Sequence, residues 1–455
     1  MMDSIKNAAL LTDLYELTMA AAYFEHGIDE AATFSLFIRN YPPHRNYFVS
    51  AGLPDVLDYI STLQFTPDDL AYLESTKMFK PKFLSYLESL RFTGDVVAIP
   101  EGRLFFANEP ILEVTAPMIE AQIIETFCIN TINLQTLIAT KASRCVQAAW
   151  PRDLVDFSFR RTQGIDAGMK VARASYIGGF IGTSNVRAGN HYGLPIFGTM
   201  AHSFINSFDE EIAAFRAFVE TAPENSILLV DTYDTISGAR KAAEVGKEMA
   251  ARGEELKGVR LDSGDMAQLS RAVRKILEEA GLHSTQIFAS GGFDEYKIKK
   301  VLDDGADIDA FGVGTKMGVS ADAAYLDIVY KLVQYAGHPV LKLSSEKETL
   351  AFAKQVYRFQ TGSGQMKKDV IGLRDDDLPE SEPLLQKVME KGKIIFSSPA
   401  LPQIQTTFLE EFSRLAASYK SIEGGPKYYP VSLSPKLNAL QAELVATVTK
   451  KELAP

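Results

Sequence analysis

Between residues 150 and 325, short apolar runs end in charged, polar or glycine residues and give way to helical patterns, at a spacing of roughly 20 to 30 residues. The endings are Asp156-Phe-Ser-Phe-Arg-Arg161, Gly198-Thr-Met-Ala-His202, Asp231-Thr-Tyr-Asp234, Asp262-Ser-Gly-Asp265, Ser290-Gly-Gly-Phe293 and Gly314-Thr315. Helical patterns fill the gaps at 166–177, 205–220, 237–251, 266–280 and 294–303. An apolar strand joined to the next through a helix is a βα unit, and successive βα units build a parallel sheet. Endings near 160, 184, 201, 231, 262, 290 and 314 fall one short of a full eight-stranded closure. The rhythm therefore predicts an α/β fold with an irregular or incomplete parallel (β/α) barrel.

Outside that stretch the patterns change. Residues 12–24 read as a helix, 32–38 as a strand ending at Arg39, 53–90 as short helices, 94–114 as paired strands, and 117–150 as one long helix. Beyond residue 322, strands are expected within 330–343, 355–359 and 370–373, followed by a solvated acidic turn from Arg374 and helices at 403–419 and 434–450. Three segments result: an N-terminal α+β domain (1–135), the barrel with its active-site loops (136–325), and a C-terminal segment (326–455) packing with the first. The second domain is thus α+β and built from both chain ends.

A formal net charge of −11 without a basic tract argues against nucleic acid and anionic membranes as partners, while leaving room for a small anion held by clustered arginines. Cys128 and Cys145 match no metal-ligand spacing and no disulfide framework. No apolar run reaches roughly 18 residues, and Asp13 and Glu16 interrupt any leader-like start. The expected location is cytoplasmic.

Loops after the strands of a parallel barrel share one face, so the motif residues should meet there. Gly291 and Gly292, with Gly314 and Thr315, follow the last two strands, where backbone amides can approach a phosphate. Arg39, Arg160, Arg161 and Arg260 offer positive charge, although any one of them alone reads equally as a surface pair. Arg260 and Asp262 lie two apart and share one side of a strand, with Asp231 and Asp234 as nearby carboxylates. Carboxylates among arginines suit magnesium or a ribose diol. For Asp234 and Asp265, helix capping is as good a reading as substrate contact. His202 is the histidine that directly follows a strand on this face. A lone histidine is more often structural, but beside Asp231 it would be fixed in one tautomer with a nitrogen available as nucleophile or base.

Taken together, Leu11-Thr-Asp-Leu-Tyr-Glu-Leu-Thr-Met19, Phe157-Ser-Phe-Arg-Arg-Thr-Gln-Gly164, Gly182-Thr-Ser-Asn185, Gly198-Thr-Met-Ala-His202, Val230-Asp-Thr-Tyr-Asp234, Arg260-Leu-Asp-Ser-Gly-Asp265 and Ser290-Gly-Gly292 give the chain a resemblance to the nicotinate phosphoribosyltransferases over most of its length. The resemblance implies a type II phosphoribosyltransferase, an enzyme of NAD salvage acting as a homodimer with shared sites. Nicotinate and phosphoribosyl pyrophosphate would be the substrates, Mg2+ the cofactor, and ATP a co-substrate coupled, ligase-fashion, through a phosphohistidine at His202. It also implies the residue roles. Asp231 would orient His202; Phe157 would stack on the pyridine ring, with Tyr15 from a partner subunit on the other face. Arg160 would hold the carboxylate, and Ser184 would stand where nicotinamide-using relatives carry an aspartate. Arg39 from the partner would meet phosphate, Arg260 and Asp262 would handle pyrophosphate and ribose, and the glycine loops the 5-phosphate. Thr162 departs from an expected alanine, and the absence of the zinc-binding cysteines of some relatives removes zinc. The alternatives are a nicotinamide or quinolinate phosphoribosyltransferase and a non-catalytic metabolite-binding protein on the same fold.

Overall fold

A computed structural model describes residues 8–344 and 349–453. The chain divides into two compact units, one made of both chain ends (Met1–Leu137 with Tyr325–Pro455) and one of Ile138–Ala324.

The unit from the chain ends is held by strand exchange between them. Strand Ala31–Ile38, buried along nearly its whole length, pairs antiparallel with Pro110–Pro117 on one side and with Ile328–Tyr335 on the other. Seven strands join this sheet, including Asp95–Ala98 and, from the C-terminal end, Gln386–Glu390. Cross-strand aromatics lock the junction: the Phe34 and Tyr330 rings stack with centroids 4.8 Å apart. The short helices expected within 53–90 are Leu53–Ser61, Pro67–Ser75 and Pro81–Ser89, each carrying proline in its first turn. The expected single helix over 117–150 is interrupted at 123–124, between Met118–Gln122 and Glu125–Ala149.

A second, four-stranded sheet contains Lys354–Gln360 and Met366–Leu373. At its heart the fully buried Arg358 donates to Asp369 through Nε and Nη2, to Glu411 through Nη1 at 2.8 Å, and to the Leu104 carbonyl at 2.9 Å. Burial, reinforced by Asp369, holds the neighbouring Glu109 carboxyl well above the usual carboxylate range. In the acidic turn from Arg374, Asp375, Asp377 and Glu380 are exposed as expected, but Arg374 reaches back to the buried Glu113, and Asp376 accepts from the Leu373 amide and from Lys436. A buried carboxylate needs a cation, and Glu113 has two, Lys354 at 3.2 Å and Arg374.

The second unit is the α/β one. Its six strands are β1 (Asp153–Asp156), β2 (Gly182–Thr183), β3 (Ile227–Leu229), β4 (Gly258–Leu261), β5 (Gln286–Ala289) and β6 (Ala310–Val313), in spatial order β2-β1-β6-β5-β4-β3, every pair parallel. Helices Ile165–Ile177, Glu211–Thr221, Thr235–Ala251, Met266–Glu279 and Glu295–Asp303 carry the chain between strands. Met266–Glu279 shows why they form: Met266, Ser270, Val273 and Leu277 recur at helical spacing and are buried.

The strand expected before residue 201 shrinks to one parallel bridge, Thr183 with Ile196. Pro195 has no amide hydrogen to donate, so only its carbonyl and the Phe197 amide engage Thr183. Side chains hold the gap instead: Asn225 donates to the Gly198 carbonyl and Arg260 to the Met200 carbonyl, each at 2.7 Å. This is the irregularity of the (β/α) barrel. Among the described residues no helix is long and apolar enough to cross a membrane.

Replacing Arg358 alone with leucine leaves Asp369 buried without its cation and Glu411 with Arg103 alone. The cost should be about 3–5 kcal/mol, read as a lowered midpoint in urea unfolding followed by circular dichroism; an unchanged midpoint would contradict the central role of this cation.

Candidate active site

Asp156, at the end of β1, is fully buried and accepts three hydrogen bonds: from the Ser158 amide at 2.8 Å, the Ser158 hydroxyl, and the Thr183 hydroxyl at 2.7 Å. Burial pushes its carboxyl upward, and the three donors oppose that shift. Thr183 in turn accepts from the Asn185 amide, while Asn185 caps the helix Val186–Tyr192 and donates to the Gly168 carbonyl. Phe157 and Ser184 each lie between two residues of this network, and the Ser184 amide donates to the Asp156 carbonyl. Two expected pocket residues are therefore set by one buried carboxylate.

The Phe157 ring is half-buried against Phe288 (centroids 5.8 Å) on a cluster of Val155, Phe288 and Ala310, joined by Ile181, Phe197 and Ile227. Glycines clear the space: a Cβ at Gly312 would stand 2.5 Å from the Phe157 ring, and one at Gly182 would stand 2.6 Å from the Phe197 ring. In the sequence Gly182 reads only as part of a motif and Gly312 only as part of the second glycine loop, Gly312-Val-Gly314-Thr315, and Phe197 carries no signal for the site. Arg160 follows on the turn Phe159–Arg161 and is exposed.

On β4, Arg260 is largely buried, which presses its guanidinium toward the neutral form; Asp262 and Asp231 support its charge and Arg160 opposes it. Four of the expected residues are thus close enough to act on one another. Asp262 accepts from the Ser290 hydroxyl, linking β4 to the first glycine loop. Gly291 packs so tightly that an added Cβ would lie 2.0 Å from the Asp262 carbonyl, and its φ of +100° is one that L side chains rarely adopt. Gly292 is also left-handed, and Gly314 rests against the Phe157 carbonyl. Two lysines that the sequence reading passed over stand at these loops. Lys297 donates to the Gly291 carbonyl at 2.5 Å and lies over the Phe293 ring, and Lys316 pairs with Asp294 at 2.7 Å. Burial, then Lys316, lowers the Lys297 ammonium below its usual range. Thr315 opens only a single helical turn, Thr315–Gly318.

His202 departs from expectation twice. It does not follow a strand but starts the one-turn helix His202–Ile205, and its Nδ1 meets the Thr232 hydroxyl at 3.1 Å rather than Asp231. The helical pattern read over 205–220 accordingly begins only at Glu211. Asp231 turns toward β4, where one oxygen accepts from the Asp262 amide at 3.1 Å and from the Ser263 hydroxyl at 2.6 Å. Its other oxygen, Oδ1, is buried without a partner. Asp234 and Asp265 cap the helices that follow them, accepting from the Ser237 and Gln268 amides. Among the described residues no group of three or more acidic, histidine or cysteine side chains forms a ready metal cage.

Tyr15 and Arg39 belong to the other unit. Tyr15 is 46% exposed on helix Leu14–His26, and Arg39 sits after strand Ala31–Ile38, pairing loosely with Asp327 at 3.9 Å. Burial and then Glu125 raise the Tyr15 hydroxyl above its usual range.

Comparison with known proteins bears on this constellation. Residues 10–133 match the model of the nicotinate phosphoribosyltransferase (NAPRTase) N-terminal domain, 153–367 that of the NAPRTase family, and 379–441 that of the C-terminal domain. A nicotinate phosphoribosyltransferase of Mycobacterium tuberculosis (strain ATCC 25618 / H37Rv) is 44% identical over 430 residues, covering 94% of this chain and 92% of its own. The Bacillus subtilis (strain 168) nicotinate phosphoribosyltransferase is 39% identical, covering 94% and 93%. Among solved structures, human nicotinic acid phosphoribosyltransferase superposes with a TM-score of 0.85 at 28% identity, covering 96% of this chain and 100% of that one.

Gly312→Ala should push the Phe157 ring from its seat while the fold persists. The expected readout is a rise of at least about tenfold in the concentration of nicotinate needed for half-saturation, with unchanged circular dichroism. Unaltered half-saturation would show that the ring is not part of the binding surface.

Proposed function

The chain belongs to the nicotinate phosphoribosyltransferase family, and from that premise we propose how its residues make nicotinate mononucleotide. The enzyme is a nicotinate phosphoribosyltransferase of NAD salvage, joining nicotinate to phosphoribosyl pyrophosphate. The pyridine nitrogen attacks the anomeric carbon, and the bond from that carbon to pyrophosphate breaks with its electrons leaving on the pyrophosphate oxygen.

The observation that carries the residue assignment is the aromatic floor at Phe157, ordered by Asp156, with Arg160 and Arg260 supplying charge beside it and a neutral Ser184 on the adjoining strand end. A flat aromatic acid needs a ring to stack on and a cation for its carboxylate. Stacking adds roughly 0.5–1.5 kcal/mol beyond burial, and a charge-assisted contact to Arg160 roughly 1.5–3 kcal/mol. An aspartate in place of Ser184 would repel that carboxylate, whereas serine does not. The left-handed glycines at 291–292, with Gly314 and Thr315, offer amides to the 5-phosphate. Arg260 and Asp262 face the ribose and pyrophosphate end, where Arg260 counters charge that grows as the leaving group departs.

Magnesium fits this donor set. The unpartnered Asp231 Oδ1 beside Asp262 gives hard carboxylate oxygens, and this ion commonly takes one or two carboxylates together with substrate phosphates. Bound there, it would neutralise pyrophosphate charge.

ATP coupling runs through His202 on this reading. With Nδ1 engaged by Thr232, Nε2 is the nitrogen left to attack the terminal phosphorus of ATP, breaking its bond to the bridging oxygen and releasing ADP. Tyr15 and Arg39 complete the site from a second copy in a homodimer. The apolar side chains that the barrel loops leave exposed, Ile165, Val186, Ile196 and Tyr233, suit a covered surface.

Product formation is to be followed with and without magnesium ATP. Wild-type turnover of nicotinate should rise with ATP, and His202→Ala should keep its fold and dimer while losing that rise; ATP stimulation of equal size in the variant would remove His202 from the coupling. In a separate assay Ser184→Asp should lower kcat/KM for nicotinate at least about tenfold through charge repulsion, and an equal kcat/KM would refute the pocket assignment.

A further inference from the structure

The two glycine loops are braced to each other by a pair of ion-pair bridges, one at the surface and one buried. Near the surface, Lys316, just past Gly314-Thr315, pairs with Asp294, just past Ser290-Gly-Gly292, at 2.7 Å. Beneath it, Lys141 on helix Glu125–Ala149 spans Glu295 at 2.6 Å and Asp322 at 2.7 Å. Glu295 is the first residue of the helix that leaves the first loop, and Asp322 lies four residues beyond the turn that leaves the second. Arg144, one helical turn along from Lys141, donates to the other Glu295 oxygen at 2.9 Å.

Burial decides what this arrangement is worth. Lys141 and Glu295 are about as buried as side chains become, 1% and 0% exposed. An ammonium so placed makes a strong, short-range attraction, and removing it unties Asp322 from Glu295, which is left with Arg144 as its cation. Surface pairs such as Lys316 with Asp294 contribute little by themselves. The strand ladder between β5 and β6 covers only Phe288 with Ala310 and Ala289 with Phe311, so it ends before either glycine loop begins. Beyond that point the loops are spanned by these bridges, with the Phe293 ring set against Phe311 at the base (centroids 5.0 Å).

We propose that Lys141 is a positioning residue for the 5-phosphate of phosphoribosyl pyrophosphate: it touches no substrate, but it fixes the distance between the loops whose amides receive that phosphate. The proposal rests on the phosphate reading of the loops given above. A phosphate held from two sides loses amide contacts when one side drifts, and misplacement on the scale of an ångström is enough to weaken binding severely. The nicotinate seat at Phe157 and Arg160 is fixed by the Asp156 network and by the Phe157 amide, which donates to the Val313 carbonyl at 2.8 Å where the strand ladder, rather than the brace, sets the spacing.

The test is steady-state kinetics of the whole enzyme with Lys141→Met and Lys141→Arg, adding ribose 5-phosphate as a competitor. In Lys141→Met the KM for phosphoribosyl pyrophosphate and the inhibition constant of ribose 5-phosphate should rise together by about tenfold, while the KM for nicotinate stays within about twofold. Lys141→Arg, which retains the charge, should recover most of the loss. Asp322→Asn, at a partly exposed position, cuts the same bridge with less risk to folding and should move the same two constants in the same direction. Equal rises for both substrates, or unchanged phosphate constants in either charge-removing variant, would overturn the brace alone. Wild-type kinetics indifferent to ribose 5-phosphate would overturn the phosphate reading of the loops, and the brace with it.

Discussion

One buried carboxylate organises the substrate end of the barrel. Asp156 has lost all contact with water, and a carboxyl there is tolerable only because three donors meet it. Those donors come from the chain just past β1 and from β2, so satisfying the carboxyl also fixes the two strand ends relative to each other. Phe157 and Ser184 are interleaved with the donor residues and take their places as a consequence. Gly312 completes the seat by being empty, since any side chain there would occupy the volume of the Phe157 ring. On the proposed reading, a ring seat held by these hydrogen bonds and this close packing suits a small, flat acid.

Charge does the rest of the work on this account. Arg260 is buried enough to be pressed toward neutrality and is held charged by Asp262 and Asp231, so its field acts in a place where water screens little. The same carboxylates leave one oxygen, Asp231 Oδ1, without a partner, and it is the oxygen proposed above for the counter-ion of a polyanionic substrate. A chain with a formal net charge of −11 can still receive a diphosphate because the cations are concentrated on these loops. Global charge governs encounter, and local charge governs binding.

Much of this was legible in the residues. Strands of a parallel sheet are buried on both faces and read as apolar runs, so β1 and β3 to β6 stood out, and of the two readings open for Asp234 and Asp265 the structure shows helix capping. The strand before residue 201 did not form, because Pro195 withholds the amide that a ladder needs. Asp156, Ser158, Thr183 and Asn185 escaped notice as site-builders since each is an ordinary polar residue whose role comes from which neighbour it anchors. Gly312 clears space for a ring far away in sequence, which no local pattern reports. Adjacent residues in a loop face different ways, and that is why Thr232 rather than Asp231 meets His202. Arg39 stood out as one of four arginines offering positive charge, the roles of Tyr15 and Arg39 came through the family resemblance, and both belong to the unit built from the chain ends.

The most direct test of this account is the ratio of kcat/KM for nicotinate, nicotinamide and quinolinate with phosphoribosyl pyrophosphate and magnesium ATP. A pocket with a cation at Arg160 and no carboxylate at Ser184 should prefer nicotinate over its amide by at least about tenfold, the equivalent of roughly 1.4 kcal/mol, and should leave the second carboxylate of quinolinate without a partner. Equal or better use of nicotinamide would contradict the pocket as described, and with it the selectivity assigned to Ser184.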